Sequence, residues 1–199
     1  MRISTLKIVL GVPAISTALL FSAALTPASA EDYVIDEKGA HASINFRIKH
    51  LGFSWLTGRF DKFGGKFSYD EAKPEDSKIR VEIDVASLNS NHAERDKHLR
   101  ANDFLDVSTY PTAVFESTSV TPDGSGKAKI AGKLTLRGVT KDIVIDAEHI
   151  GGGKDPWGGY RNGFAGKVSL PLKDFGIPHD LGPASQEVEL DLNIEGIRQ

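Results

Sequence analysis

The residues that could do chemistry in this 199-residue chain are six histidines, a row of carboxylates near the C-terminus, and the triplet Asp174-Phe175-Gly176. His92 and His98 share one candidate helix, but six residues apart they point about 240° around its axis and cannot share an ion. His41, His50, His149 and His179 are scattered among strand ends and loops, and no pair has the i,i+4 ligand spacing of a helical metal site. Glu187, Glu189 and Asp191 lie about 6.8 Å apart along one strand face, near the carboxylate separation of an inverting glycosidase. The row runs on through Asn193 and Glu195, opposite an unbroken apolar row, so it reads as a solvated face. Asp174-Phe175-Gly176 matches a kinase triplet, yet no glycine-rich nucleotide loop or His-Arg-Asp accompanies it. No Gly-x-Ser-x-Gly or Walker loop occurs, and the absence of cysteine excludes thiol catalysis and cysteine-ligated metal. The expectation is no catalytic residue, no metal and no cofactor.

The chain begins with a positive start at Arg2 and Lys7, an apolar stretch Ile8 to Leu25, and Ala28-Ser29-Ala30. These are the three parts of a secretory signal peptide, predicting cleavage after Ala30, export to the periplasm and a mature domain over 31–199. No later apolar run could span a bilayer. The leader holds two of the 24 basic residues and none of the 27 acidic ones, so the mature charge is 22 minus 27, or −5, a poor match to nucleic acid.

Period-two alternation dominates the mature chain. Ile44, Phe46 and Ile48 oppose Ser43, Asn45, Arg47 and Lys49. Ile79, Val81, Ile83 and Val85 oppose Lys78, Arg80, Glu82 and Asp84. Val188, Leu190, Leu192 and Ile194 oppose the carboxylate row. Weaker strands are expected over 33–35, 58–69, 113–121, 127–137, 141–150 and 161–172, with a parity break between Phe60 and Phe63 that suggests a bulge. One polar helix is expected over His92 to Ala101, capped by Asn91 with Glu94 three residues later, carrying a surface Asp96–Arg100 pair and lying as a flap over one sheet end. The glycine-rich stretch Gly151–Gly163 reads as a mobile loop. About eight such strands leave a sandwich or a closed antiparallel barrel, and an eight-stranded barrel either packs its interior or holds one ligand. An aliphatic and aromatic interior suits hydrocarbon recognised by shape. Each buried CH₂ contributes roughly 0.8 kcal/mol, so a five-carbon isoprene unit contributes up to about 4 kcal/mol.

Several stretches together resemble the YceI family of exported polyisoprenoid-binding proteins. They include Asn45-Phe46-Arg47-Ile48-Lys49-His50-Leu51-Gly52, then Asn91 to Arg100, Leu134 to Lys141, Asp155-Pro156-Trp157-Gly158-Gly159, Lys173-Asp174-Phe175-Gly176 and Asp180-Leu181-Gly182-Pro183-Ala184-Ser185. The resemblance implies a lipocalin-like all-β barrel with one short polar helix. It also implies a long amphipathic isoprenoid, of polyprenyl phosphate or quinone type, or a fatty-acid-like lipid, bound and carried rather than transformed. Strand parity, not a family motif, nominates the lining: Ile44, Phe46, Ile48, Phe67, Val81, Ile83, Val85, Phe115, Leu134, Leu136, Ile143, Ile145, Phe164, Val168, Leu190 and Leu192. Trp157, Tyr160 and Arg161 are candidates for a rim that meets a head group. Two rivals stay open: an enzyme acting on an isoprenoid or quinone, with His50 or His98 as base, and a filled barrel acting as a structural or interaction module. A homodimer is compatible with the lipid-binding reading.

Overall fold

The structure, a computed structural model, describes residues 30–177 and 181–199. The expected leader (Ala30 apart) and His179 lie outside these residues.

Alternating side chains build eleven strands: β1 (Glu31–Ile35), β2 (Ser43–His50), β3 (Ser54–Phe60), β4 (Phe63–Tyr69), β5 (Lys78–Asp84), β6 (Leu88–Asn89), β7 (Thr112–Pro122), β8 (Lys127–Leu136), β9 (Val139–Lys154), β10 (Tyr160–Pro171) and β11 (Glu187–Arg198). Every pairing is antiparallel. The order β1-β4-β5-β7-β8-β9-β10-β11 closes on itself through β1–β11, a ring of eight, which removes the open edges of a sheet. The three remaining strands extend that ring. Val188–Asn193 of β11 pairs with β2, and Gly196–Arg198 pairs with β1, so β1 and β2 are two halves of one stave. The same holds for β4 with β3, and for β5 with β6.

Each interrupted stave is held at its break. Asp36 Oδ1 accepts from Gly39 N at 2.8 Å after β1, and Asp61 N donates to Ser87 O at 3.1 Å between β3 and β4. The parity break read between Phe60 and Phe63 is therefore the end of one strand and the start of the next. The stretch read as a mobile loop, 151–163, is mostly strand: β9 runs to Lys154 and β10 begins at Tyr160. Glycine misled there, because main-chain pairing of Gly151, Gly152 and Gly153 with β10 needs no side chain.

One end of the barrel is plugged. Val85, Leu88, Phe104, Leu170, Phe175 and Ile177 are buried there. Asp174-Phe175-Gly176 thus belongs to a 3-10 turn, Leu172–Phe175, whose phenyl ring is 1% exposed, with Gly176 left-handed at φ 65°. Arg137 fixes this turn by donating to Gly176 O at 2.6 Å and Asn102 O at 2.9 Å. Helix α1 (Ala93–Leu99) adjoins this end and is shorter than expected. Its cap is His92, whose Nδ1 accepts from Arg95 N at 3.2 Å, while Asn91 turns with φ 59°. Asp96 is buried and accepts from Ser90 N at 2.9 Å instead of pairing with Arg100 on the surface. Arg100 donates to Ala86 O at 2.8 Å. Main-chain acceptors beside the helix outcompete the i,i+4 partner, because an exposed pair of that kind is worth only about 0.2–0.5 kcal/mol.

Candidate functional site

Inside the ring lies a cavity of about 440 Å³. The inward row of β5 supplies Ile79, Val81 and Ile83, β7 adds Phe115 and Val120, and β8 adds Ala128, Ile130 and Leu134. Ile143, Ile145 and Ala147 come from β9, Phe164, Gly166 and Val168 from β10, Leu190, Leu192 and Ile194 from β11, and Ile44 and Phe67 from β2 and β4. Small residues keep the centre hollow. Gly166 and Ala147 pair across β9 and β10, and a methyl added at Gly166 would already stand 3.1 Å from Ile145 Cγ2. Gly132 lets the Phe115 ring lie against the wall, since a Cβ there would fall 2.5 Å from the ring.

Of the positions nominated by parity, Ile44, Phe67, Val81, Ile83, Phe115, Leu134, Ile143, Ile145, Phe164, Val168, Leu190 and Leu192 line this cavity. Phe46, Ile48, Val85 and Leu136 do not. Phe46 packs against Phe60, ring centres 5.8 Å apart, and over Gly58. Val85 is buried in the turn after β5, and Leu136 packs into the cluster of Phe115, Leu134 and Phe175. Ile48, paired with Leu56 and Val188, sits past the hollow. Parity gives the side of the sheet a residue faces, not its depth along the barrel axis, and these four lie towards the plugged end. Sequence reasoning missed Tyr69, Ile79, Val120, Ile130, Ala147, His149 and Ile194. The available signal was the run of small inward residues Ala128, Ala147 and Gly166, which marks a hollow rather than a packed layer.

The cavity opens at the end opposite the plug, where its wall reaches the exposed residues Glu71, Gly124, Gly126, Lys127 and Glu148. Aromatic rings gather inside that mouth. Phe164 meets Tyr69 and His149 at 5.0 Å each, and Phe67 at 5.4 Å; Phe67 stacks on Tyr33 at 4.9 Å. Their polar atoms form a chain: His149 Nε2 and Asn162 Oδ1 are 2.9 Å apart, and Asn162 Nδ2 donates to the Tyr33 hydroxyl at 2.8 Å. Burial raises the Tyr33 and Tyr69 hydroxyl pKa values, so both stay neutral. Ser77 Oγ, also on the cavity wall, is buried with no hydrogen-bond partner among the described residues.

Trp157, Tyr160 and Arg161 stand outside the cavity lining. Trp157 is exposed in the β9–β10 turn, Tyr160 stacks under Arg198 at 4.7 Å, and Arg161 is enclosed by carboxylates, donating to Asp36, Asp155 and Glu195 at 2.5–3.0 Å. Asp36, His41 and Glu195 place three ligand atoms within 4.8 Å of one another, but Arg161 Nη1 bonds both carboxylates and already supplies the positive charge a metal ion would bring. The carboxylate row near the C-terminus is outside the barrel: Glu189 accepts from Arg47 at 2.6 Å and Glu187 from Ser169 at 2.9 Å.

The same architecture recurs in solved structures. A Campylobacter jejuni YCEI protein superposes with a TM-score of 0.70 at 32% identity, over 76% of this chain and 90% of that one. A structure described as a polyisoprenoid binding domain from Saccharophagus degradans, implicated in plant cell wall breakdown, shares the fold at a TM-score of 0.60 and 15% identity, over 86% of this chain and all of that one. Among curated sequences, a UPF0312 protein of Azotobacter vinelandii is 57% identical over 194 residues, 98% of this chain and 100% of its own length. The YceI-like domain profile matches residues 33–196, and with these relatives it places this chain in the YceI family.

Proposed function

We propose that this protein binds and shields a long-chain isoprenoid, of polyprenyl phosphate or isoprenoid quinone type, or a similar amphipathic lipid, and carries it through the periplasm. The observation that carries this reading is the 440 Å³ hollow, walled by aliphatic and aromatic side chains and reaching the exposed residues Glu71, Gly124 and Lys127 at the end opposite the plug. Its volume falls within the roughly 300–1,000 Å³ usual for small-molecule sites. Each buried CH₂ contributes about 0.8 kcal/mol, so a few isoprene units exceed the cost of immobilising the chain. The polar end of the lipid would stay at the mouth, beside Ser77, Lys127 and His149, where the unpartnered Ser77 hydroxyl can gain a hydrogen bond. The likeness to the polyisoprenoid binding domain supports the same ligand class.

Binding fits the side chains better than catalysis does. An enzyme reading needs a His–carboxylate pair facing the cavity. Among the described residues, His41–Asp36 and His98–Asp103 are His–carboxylate pairs, but both lie outside the cavity, with each histidine half exposed. His149 does face the cavity, but its hydrogen-bond partner is an amide. Likewise among the described residues, no helix is long and apolar enough to cross a membrane.

Native mass spectrometry of freshly purified protein, followed by organic extraction, tests the proposal. The expected result is a one-to-one adduct that extraction identifies as an isoprenoid or related lipid. No adduct, together with no rise in melting temperature on adding isoprenoid, would replace this reading with that of a structural or interaction module.

A further inference from the structure

The β2–β3 turn presents apolar side chains that the fold does not use. Phe53 is 87% exposed, Leu51 60% and Trp55 43%. The turn closes with Phe53 N donating to His50 O at 2.9 Å, and its central residues Leu51 and Gly52 have φ of 51° and 82°. Such a turn favours Asn, Asp or Gly at its first central position, because a larger side chain is strained at positive φ. The β8–β9 turn is built alike, with Arg137 at φ 51°, but there the guanidinium holds the plug. Leu51 gains no such bond. A strained backbone that displays an exposed leucine points to a role for that leucine outside the folded chain.

The chemistry of the surroundings favours one occupant. The hairpin Ser43–Phe60 itself carries Arg47, Lys49 and Arg59 and no carboxylate; the adjoining β11 brings Glu187 and Glu189, which accept from Ser169 and Arg47. Arg47 and Arg59 pair with Glu189 and Asp61, whereas Lys49 has no ion-pair partner among the described residues and lies 5.6 Å from the Trp55 ring centre. Arg47 covers that ring at 4.4 Å and holds it beside the tip. Leucine, phenylalanine and tryptophan beside a lysine with no carboxylate partner among the described residues match the interface of an anionic bilayer, apolar below and negative at the surface. A second copy fits less well, since three side chains at one hairpin tip are far from the roughly 800 Å² per partner that a stable dimer hides.

We propose that the Leu51–Phe53–Trp55 tip is a membrane-interface anchor that docks the barrel on anionic lipid surfaces. The tip lies at the plugged end, so docking leaves the cavity mouth facing away from the bilayer. The anchor does not depend on what the cavity holds.

Flotation of the purified protein with equimolar phosphatidylcholine–phosphatidylglycerol vesicles tests it. The wild type should float with these vesicles, and about fivefold less with phosphatidylcholine alone, the effect of one lysine near a charged surface. The double variant Leu51→Asn/Phe53→Ser should lose at least about tenfold in partitioning. Its melting temperature should not fall, because Asn is at ease where Leu is strained, so misfolding cannot account for the loss. Its melting shift on adding isoprenoid should also equal that of the wild type, which separates the anchor from the cavity. Trp157→Ser, at the other exposed aromatic turn, should float normally. Failure of the wild type to float, or equal flotation of the double variant, overturns the proposal. So does a wild-type dimer that the double variant converts to monomer, which would assign the tip to a second copy.

Discussion

Arg161 on β10 donates through Nη1 to Asp36 Oδ2 at 2.6 Å, tying the start of β10 to the break between β1 and β2, where Asp36 is 6% exposed. Hydrogen bonds from Arg161 first, and from His41 second, hold the Asp36 carboxyl at about 2, against about 3.9 in an unfolded chain. A depressed carboxyl pKa stabilises the fold above the unfolded value, and that contribution is lost as pH falls through the window from about 4 to about 2. Arg161→Gln should therefore cost about 2 kcal/mol near pH 7, with the gap to wild type narrowing below about pH 4. Urea unfolding across that range checks it; a gap independent of pH would show that Arg161 acts by packing alone.

A second prediction concerns the chain Tyr33–Asn162–His149. Asn162 is buried and serves both neighbours. Asn162→Leu leaves the Tyr33 hydroxyl and His149 Nε2 without their partner, a loss of about 1–3 kcal/mol, whereas Tyr33→Phe removes a single bond and should cost about 1 kcal/mol. Combining the two should cost less than their sum, because the hydroxyl is no longer there to be stranded. Strict additivity in denaturant melts would mean that the chain is not coupled.

The ring of eight staves was legible because alternation is strict wherever one face meets water. Ile79, Val81 and Ile83 against Lys78, Arg80 and Glu82 leave no other assignment. The cavity was legible only in part. Val85 continues the parity of β5, yet the 3-10 turn it begins carries it to the plugged end, and no local pattern reports depth along a barrel. Arg161 looked like a rim residue because it neighbours glycines and aromatics; its partners Asp36 and Glu195 are 125 and 34 residues away. Asp96 looked like a surface helix residue because its helix is polar on every side, and only the neighbouring Ser90 main chain reveals it as a buried acceptor.

Export is tested by the mature N-terminus. Ala28-Ser29-Ala30 predicts that the periplasmic protein begins at Glu31, which is also the first residue of β1. N-terminal sequencing that found Met1 on membrane-bound protein would reject the leader.

The hollow itself gives the sharpest test, because filling it should separate stability from binding. Ala147 faces the cavity opposite Gly166. Ala147→Phe sends a ring into open space, so it should raise the melting temperature of lipid-free protein, as cavity filling does. It should also shrink the melting shift that added isoprenoid produces, since a ligand stabilises only the state it can enter. Val81→Ala enlarges the same space and should cost about 1–2 kcal/mol while the protein stays folded. Glu189→Ala, on the outer face of β11 beside Arg47, should leave the isoprenoid shift nearly unchanged. Should Ala147→Phe retain the full wild-type shift, the lipid would have to lie elsewhere than between β9 and β10.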